Sequence, residues 1–280
     1  MLRRLMKYEF LSTGRIFGLC YIGVLLAAVL VRILSEFAYN QSETMRELLP
    51  LPMADIFAAL SAFLYFGMIV AVIVVTLILI LQRFYKNLLC GEGYLMHTLP
   101  VNAHQLICSK LTAAVVWTVA STVVVMLSIV LLVATPGSMF DFLFAFGDFL
   151  QRFQQEAHFS FLVLCLEFFV VLVVAVAASI LQIYAAIMLG HQAPKHRILL
   201  AVVAYFAIQM ILSTASVFLL MGAFFVPSGV WDGLVAWMAG LGPVPAMQLA
   251  MLFMLVSNLV LAAVFYFMTE YLMRRHLNLE

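Results

Sequence analysis

Two ionisable side chains lie inside otherwise apolar stretches, Arg32 and Glu167. A charge within a membrane-crossing helix is expensive, so such residues are functional candidates by default. Arg32 stands near one end of its apolar run and can snorkel toward water. Glu167 lies about two helical turns inside its run, at a depth where Arg32 is a conceivable partner. Neither sits at a midplane, where secondary transporters place coupling-ion sites. Polar Thr76, Gln182, Gln209, Ser213, Thr214, Ser216 and Asn258 read as contacts that hold helices together. The cysteines Cys20, Cys90, Cys108 and Cys165 lack CxxC spacing, which argues against a zinc site or a disulfide framework. His191 and His196 lie among Lys195 and Arg197 and read as basic flanks of a span, with no metal-ligand role. HExxH, GxSxG and GxxxxGK[ST] motifs are missing. The chain is therefore expected to be no enzyme and to hold no cofactor or metal; any ATP and Mg would sit on another subunit.

The elements that carry these residues follow from composition. Hydrophobic residues make up 66% of 280 positions, charged residues 10%, and mean hydropathy is +1.16. A soluble domain needs about 25% charged residues to cover its surface. The solvent of this chain is therefore largely lipid, and the scattered basic residues exclude a nucleic-acid interface. The expected fold is an all-α membrane protein, a single permease-like domain over 1–280, with six spans at 16–35, 56–81, 111–134, 159–189, 198–226 and 246–269.

With the N-terminus inside, Arg3, Arg4, Lys7, Arg15, Arg83, Lys86, Lys110, Lys195, Arg197, Arg274 and Arg275 face the cytoplasm, against Arg32, Arg46 and Arg152 outside. That bias fixes both termini in the cytoplasm. The basic start MLRRLMK reads as a retained anchor, because Glu9 and Arg15 interrupt it and a full-length span follows.

The connections carry the rest. Residues 1–15 read as an amphipathic interfacial helix, with Leu2, Leu5, Met6 and Phe10 on one side. Glu9 projects from that apolar side. It either pairs with a basic residue of the next loop, such as Arg83 or Lys86, or reaches headgroup water. The loop QRFYKNLLCGEGYLMHTLPVNAHQLICSK (82–110) is far longer than a helix–helix turn requires. Phe84, Tyr85, Leu88 and Leu89 extend the second span, Gly91 and Gly93 break it, and Asn102 with Gln105 forms a capping box that restarts a helix. Between them Tyr94, Leu95, Met96 and Leu99 form an apolar knob ending at Pro100. It either docks in a partner's groove or lies among headgroups. An outer segment with Phe142, Phe146, Phe149 and Phe153 at helical spacing either lies on lipid or gates a lateral opening. Residues 227–245, with Trp231 and Trp237 among Gly and Pro, are expected to form a re-entrant outer hairpin.

GEGYLMHTLPVNAHQLICSK resembles the corresponding stretch of type-2 ABC exporter permeases of Gram-positive gut bacteria, and LMKYEF resembles their opening. His97 stands where that pattern has an apolar or aromatic residue. The resemblance implies a plasma-membrane permease subunit that works with a second permease subunit and a separate ABC ATPase subunit. Glu92, Tyr94, Leu95, Met96, Thr98, Leu99 and Pro100 would form the helix that couples to the ATPase. Lys7, Tyr8 and Glu9 would belong to a connecting helix. Two other readings stand beside it: an ATP-independent secondary transporter using Glu167, and a non-transporting scaffold or sensor subunit.

Overall fold

The computed structural model describes residues 2–39, 53–89, 103–133, 161–193, 196–225 and 227–275, together with 144, 145, 147, 148, 151 and 152. Among the described residues the longer elements are all helices. They are α1 (Leu2–Tyr39), α2 (Met53–Leu89), α3 (Ala103–Val133), α4 (Phe161–His191), α5 (Arg197–Phe224), α6 (Ser228–Leu241) and α7 (Pro243–Arg275). Six of them, all but α6, are long and apolar enough to cross a membrane, as the hydropathy pattern predicts.

The helices run further than the apolar windows. α1 holds 38 residues, or about 57 Å of helix against a hydrocarbon core of roughly 30 Å. The expected boundary between an interfacial helix over 1–15 and a span from 16 is not a break, because α1 is continuous through it. A change in hydropathy leaves the backbone ladder intact, and only a missing N–H or a disfavoured φ interrupts it. α2 likewise continues through Phe84 and Tyr85 to Leu89, and α3 starts at Ala103, one residue after the expected cap at Asn102. Asn102 itself lies outside the described residues, as does most of the Phe-rich segment between α3 and α4.

The chain forms two compact units. The first comprises Met1–Arg83 and Thr112–Ala145; the second comprises Phe84–Leu111 and Phe146–Glu280. In the first, α1 meets α3 through Phe17 stacked on Trp117, with ring centroids 4.5 Å apart and planes 8° from parallel. Gly14 faces the same ring, where a Cβ would make an ordinary 3.7 Å contact with Trp117. Ser121 joins three helices: it bonds the Tyr21 hydroxyl of α1 at 2.9 Å and the Thr76 hydroxyl of α2 at 3.1 Å. One further rung links Tyr65 of α2 to Ser128 of α3 at 2.8 Å. In lipid, where apolar burial drives no association, such rungs and close ring contacts hold helices together.

In the second unit, α4 packs against α5 and α7, and α6 packs on α7. Gln182 of α4 donates to Gln209 of α5 at 3.0 Å, so this pair does join two helices. Three other polar residues expected to do so turn back on their own helix. Ser213 bonds the Met210 carbonyl, Ser216 bonds the Ser213 carbonyl and Asn258 bonds the Met254 carbonyl. An apolar surrounding leaves a short polar side chain few acceptors other than the carbonyls one turn back. The segment 227–245 is not a loop: α6 fills it with a 14-residue helix, and Gly242 at φ 84° turns the chain into α7. That left-handed conformation suits glycine and no β-branched or bulky residue.

Candidate functional site

The proposed coupling residues Glu92, Tyr94, Leu95, Met96, Thr98, Leu99 and Pro100 lie outside the described residues. Their flanks are described, and both belong to the second unit. On the α2 side, Phe84 is fully buried and stacks on the buried Tyr184 of α4, with centroids 3.9 Å apart and planes 10° from parallel. The next residue, Tyr85, meets the edge of the His191 ring at 6.1 Å. On the α3 side, Leu106, Ile107, Ser109 and Lys110 are all buried. This is unusual in a chain whose apolar helices otherwise face outward along most of their length, as a lipid-bathed helix does. Phe84 before this stretch of sequence and Leu106 and Ile107 after it are thus firmly packed.

The second half of α4 supplies most of that packing, with Ala178, Ile180, Leu181, Ala185, Ala186 and Met188 buried beside Tyr184. Small residues at these positions allow close approach of neighbouring backbones. Gly190 is the extreme case. A Cβ there would lie 2.3 Å from the Ala201 nitrogen and 2.4 Å from its Cα, so only glycine fits between the end of α4 and the start of α5. The turn between these helices is completed by His196 at φ 57°, whose carbonyl accepts the Leu200 N–H at 3.0 Å.

The two histidines of this turn differ. His196 is exposed, as a basic flank should be. His191 is buried, and neither ring nitrogen has a hydrogen-bond partner. Among the described residues no three His, Cys, Asp or Glu side chains come close enough to hold a metal ion.

At the N-terminal end of the first unit, Lys7 and Tyr8 are exposed while Glu9 is buried. Of the two fates open to Glu9, the structure takes the ion pair: Arg83 Nη1 lies 3.0 Å from its Oε2. The register explains this, since Arg83 stands just past the apolar window of α2 with a side chain long enough to reach back. At the other end of α1, Arg32 bonds Glu36 at 2.7 Å and donates to the Leu132 carbonyl at 3.1 Å. Within the first unit its cation is thereby engaged by one carboxylate and one backbone carbonyl. Glu36 stands one turn further along the same face of α1, the spacing at which such pairs meet. Glu167 retains one buried carboxylate oxygen, Oε2, with no hydrogen-bond partner.

One constellation has no counterpart in the sequence reading. His104 and Cys108 stand one turn apart at the start of α3, with the Cys108 Sγ 3.8 Å from His104 Nε2. The other ring nitrogen, Nδ1, hydrogen-bonds the Tyr266 hydroxyl of α7, and the two rings meet edge to face at 5.6 Å. The i, i+4 spacing of His104 and Cys108 was visible in the sequence; the tyrosine that completes the group lies 162 positions away.

No family model matches the chain, and no curated protein or solved structure matches it either.

Proposed function

We propose that this chain is the membrane permease subunit of an ATP-driven exporter of the type-2 ABC class, resident in a bacterial plasma membrane. Both termini would face the cytoplasm, and two permease subunits would work with two separate ABC ATPase subunits. One observation carries the reading. The EGYLMHTLP segment, which resembles the ATPase-coupling element of that class, is flanked by buried residues on both sides, Phe84 before it and Leu106 and Ile107 after it. A segment that receives force from a motor must be rigidly attached to the helices it moves. The strong cytoplasmic bias of Lys and Arg supports the orientation, and the missing phosphate-binding loop agrees with a motor on another chain.

In this reading, ATP binding and hydrolysis on the partner displace the 90–102 segment. Phe84, clamped on Tyr184, passes the displacement to α4, which packs on α5 and α7. α6, with Trp231 and Trp237 exposed along it, serves as the re-entrant outer element. Tagged protein purified from its native membrane should bring down a P-loop ATPase subunit. Tyr94→Asp with Leu95→Asp should abolish that recovery while leaving the permease folded. Recovery of no ATPase, or a double variant that behaves as wild type, rejects the assignment.

A second reading rests on Glu167 and its unpartnered carboxylate oxygen. An ATP-independent, proton-coupled transporter would use that group as the proton carrier. Glu167→Gln would then abolish gradient-driven uptake into vesicles lacking ATP. Wild-type vesicles without any such uptake dispose of this reading and leave the first intact.

A further inference from the structure

We propose that Cys108 is an activated, modifiable thiol, with His104 as its general base and Tyr266 as the group that orients the base. The thiol would react with small disulfides to form a mixed disulfide at the start of α3. This inference is independent of the transport reading.

The geometry has the three parts that an activated nucleophile requires: a thiol, a base within reach of it, and a third group that holds the base. Cys108 Sγ and His104 Nε2 are 3.8 Å apart, a distance suited to a sulfur hydrogen bond. Tyr266 engages the opposite nitrogen, Nδ1. With Nδ1–H donated to the phenol oxygen, Nε2 carries the lone pair and accepts the Cys108 S–H. Tyr266 on Nδ1 thus holds the ring with Nε2 turned toward the thiol, placed to take its proton as sulfur attacks. Access fits as well, because His104 is exposed and Cys108 is partly so.

The reaction balances without a further oxidant. Nε2 takes the thiol proton, and the thiolate attacks one sulfur of a disulfide RSSR. A new S–S bond forms to Cys108 and the old one breaks. The leaving thiolate takes the proton back from the imidazolium as RSH or, where it is an acidic aromatic thiol, departs as the anion while the imidazolium gives its proton to water. The same sequence run in reverse by a free thiol removes the modification.

The test uses the full-length chain in lipid nanodiscs with Cys20→Ser, Cys90→Ser and Cys165→Ser, so that Cys108 is the single thiol. The probe is an aromatic disulfide, 5,5′-dithiobis(2-nitrobenzoate), followed by its coloured leaving group at neutral pH. His104→Ala is expected to slow the reaction at least about 10-fold, in line with loss of a positioned base. Added free imidazole should restore most of the rate to His104→Ala, which repair of a merely structural defect would not do. Tyr266→Phe should slow it about threefold, since the base remains but loses its orienting partner. His104→Gln serves as a second variant where His104→Ala elutes as aggregate on gel filtration. An unchanged rate in the His104 variant, or a slowed rate that imidazole does not rescue, overturns the proposal.

Discussion

The carboxylate of Glu9 meets the guanidinium of Arg83 at 3.0 Å, joining the start of α1 to the last third of α2. The Glu9 side chain is 8% exposed and that of Arg83 24%, so water screens the pair from one side only. Removing Arg83 takes a close cationic partner from a largely buried carboxylate. Arg83→Ala should therefore destabilise the protein by about 2 kcal/mol, short of the fully buried case because the guanidinium is partly wet. The double variant Glu9→Gln, Arg83→Met should recover most of that loss. Thermal unfolding in detergent, read by fluorescence-detected gel filtration, decides it; a double variant less stable than Arg83→Ala contradicts it.

Gly190 and Gly67 should respond oppositely to the same substitution. At Gly190 a methyl group would overlap the backbone of Ala201, which no rotamer change can relieve. Gly190→Ala is expected to cost more than about 3 kcal/mol and to reduce the yield of monodisperse protein. Nothing lies within 4 Å of a Cβ at Gly67, so Gly67→Ala should stabilise α2 by about 0.5 kcal/mol. Equal effects at the two positions would disprove the close approach of α4 and α5.

Phe84 and Tyr184 form one stacked unit, so their truncations should not add. Phe84→Ala alone is expected to cost about 3 kcal/mol from the lost burial. The double variant with Tyr184→Ala should fall short of the summed single costs by about 1 kcal/mol, the coupling typical of a stacked aromatic pair. Under the exporter reading, Phe84→Ala should also uncouple ATP hydrolysis from transport while the ATPase subunit still co-purifies. Additive costs in the cycle would show that the two rings act separately.

Gln182 and Gln209 offer a cleaner cycle, since both sit on apolar helices and Gln182 is buried. Gln182→Leu alone should cost about 1 kcal/mol by leaving the Gln209 amide without its partner. The double leucine variant should lie within about 0.5 kcal/mol of wild type. A double variant worse than either single one would mean the amides do more than pair with each other.

The six apolar helices were legible in the sequence because a membrane imposes a length and a composition that few other environments demand. Their ends were less so. Arg15, where an interfacial helix was expected to give way to a span, marks no break at all in α1, while the break expected at Gly91 and Gly93 lies outside the described residues. Polar residues change which solvent a helix meets without ending it. Glu9 had two possible fates in sequence, and only the placement of Arg83 selects between them. The Gly190 contact and the His104–Cys108–Tyr266 group were hidden for one physical reason. Each needs a second helix brought alongside, and neither Ala201 nor Tyr266 carries a mark of that role in its own neighbourhood.

α1 is braced at two levels, by Glu9 on Arg83 of α2 and by Arg32 on the Leu132 carbonyl of α3. The two braces are 23 residues apart, roughly 35 Å along the axis and about 140° around it at 100° per residue. Fixed points on different sides of a rod forbid it to spin or to slide like a piston unless one of them lets go. α1 can only lean, and when it leans α2 and α3 must lean with it.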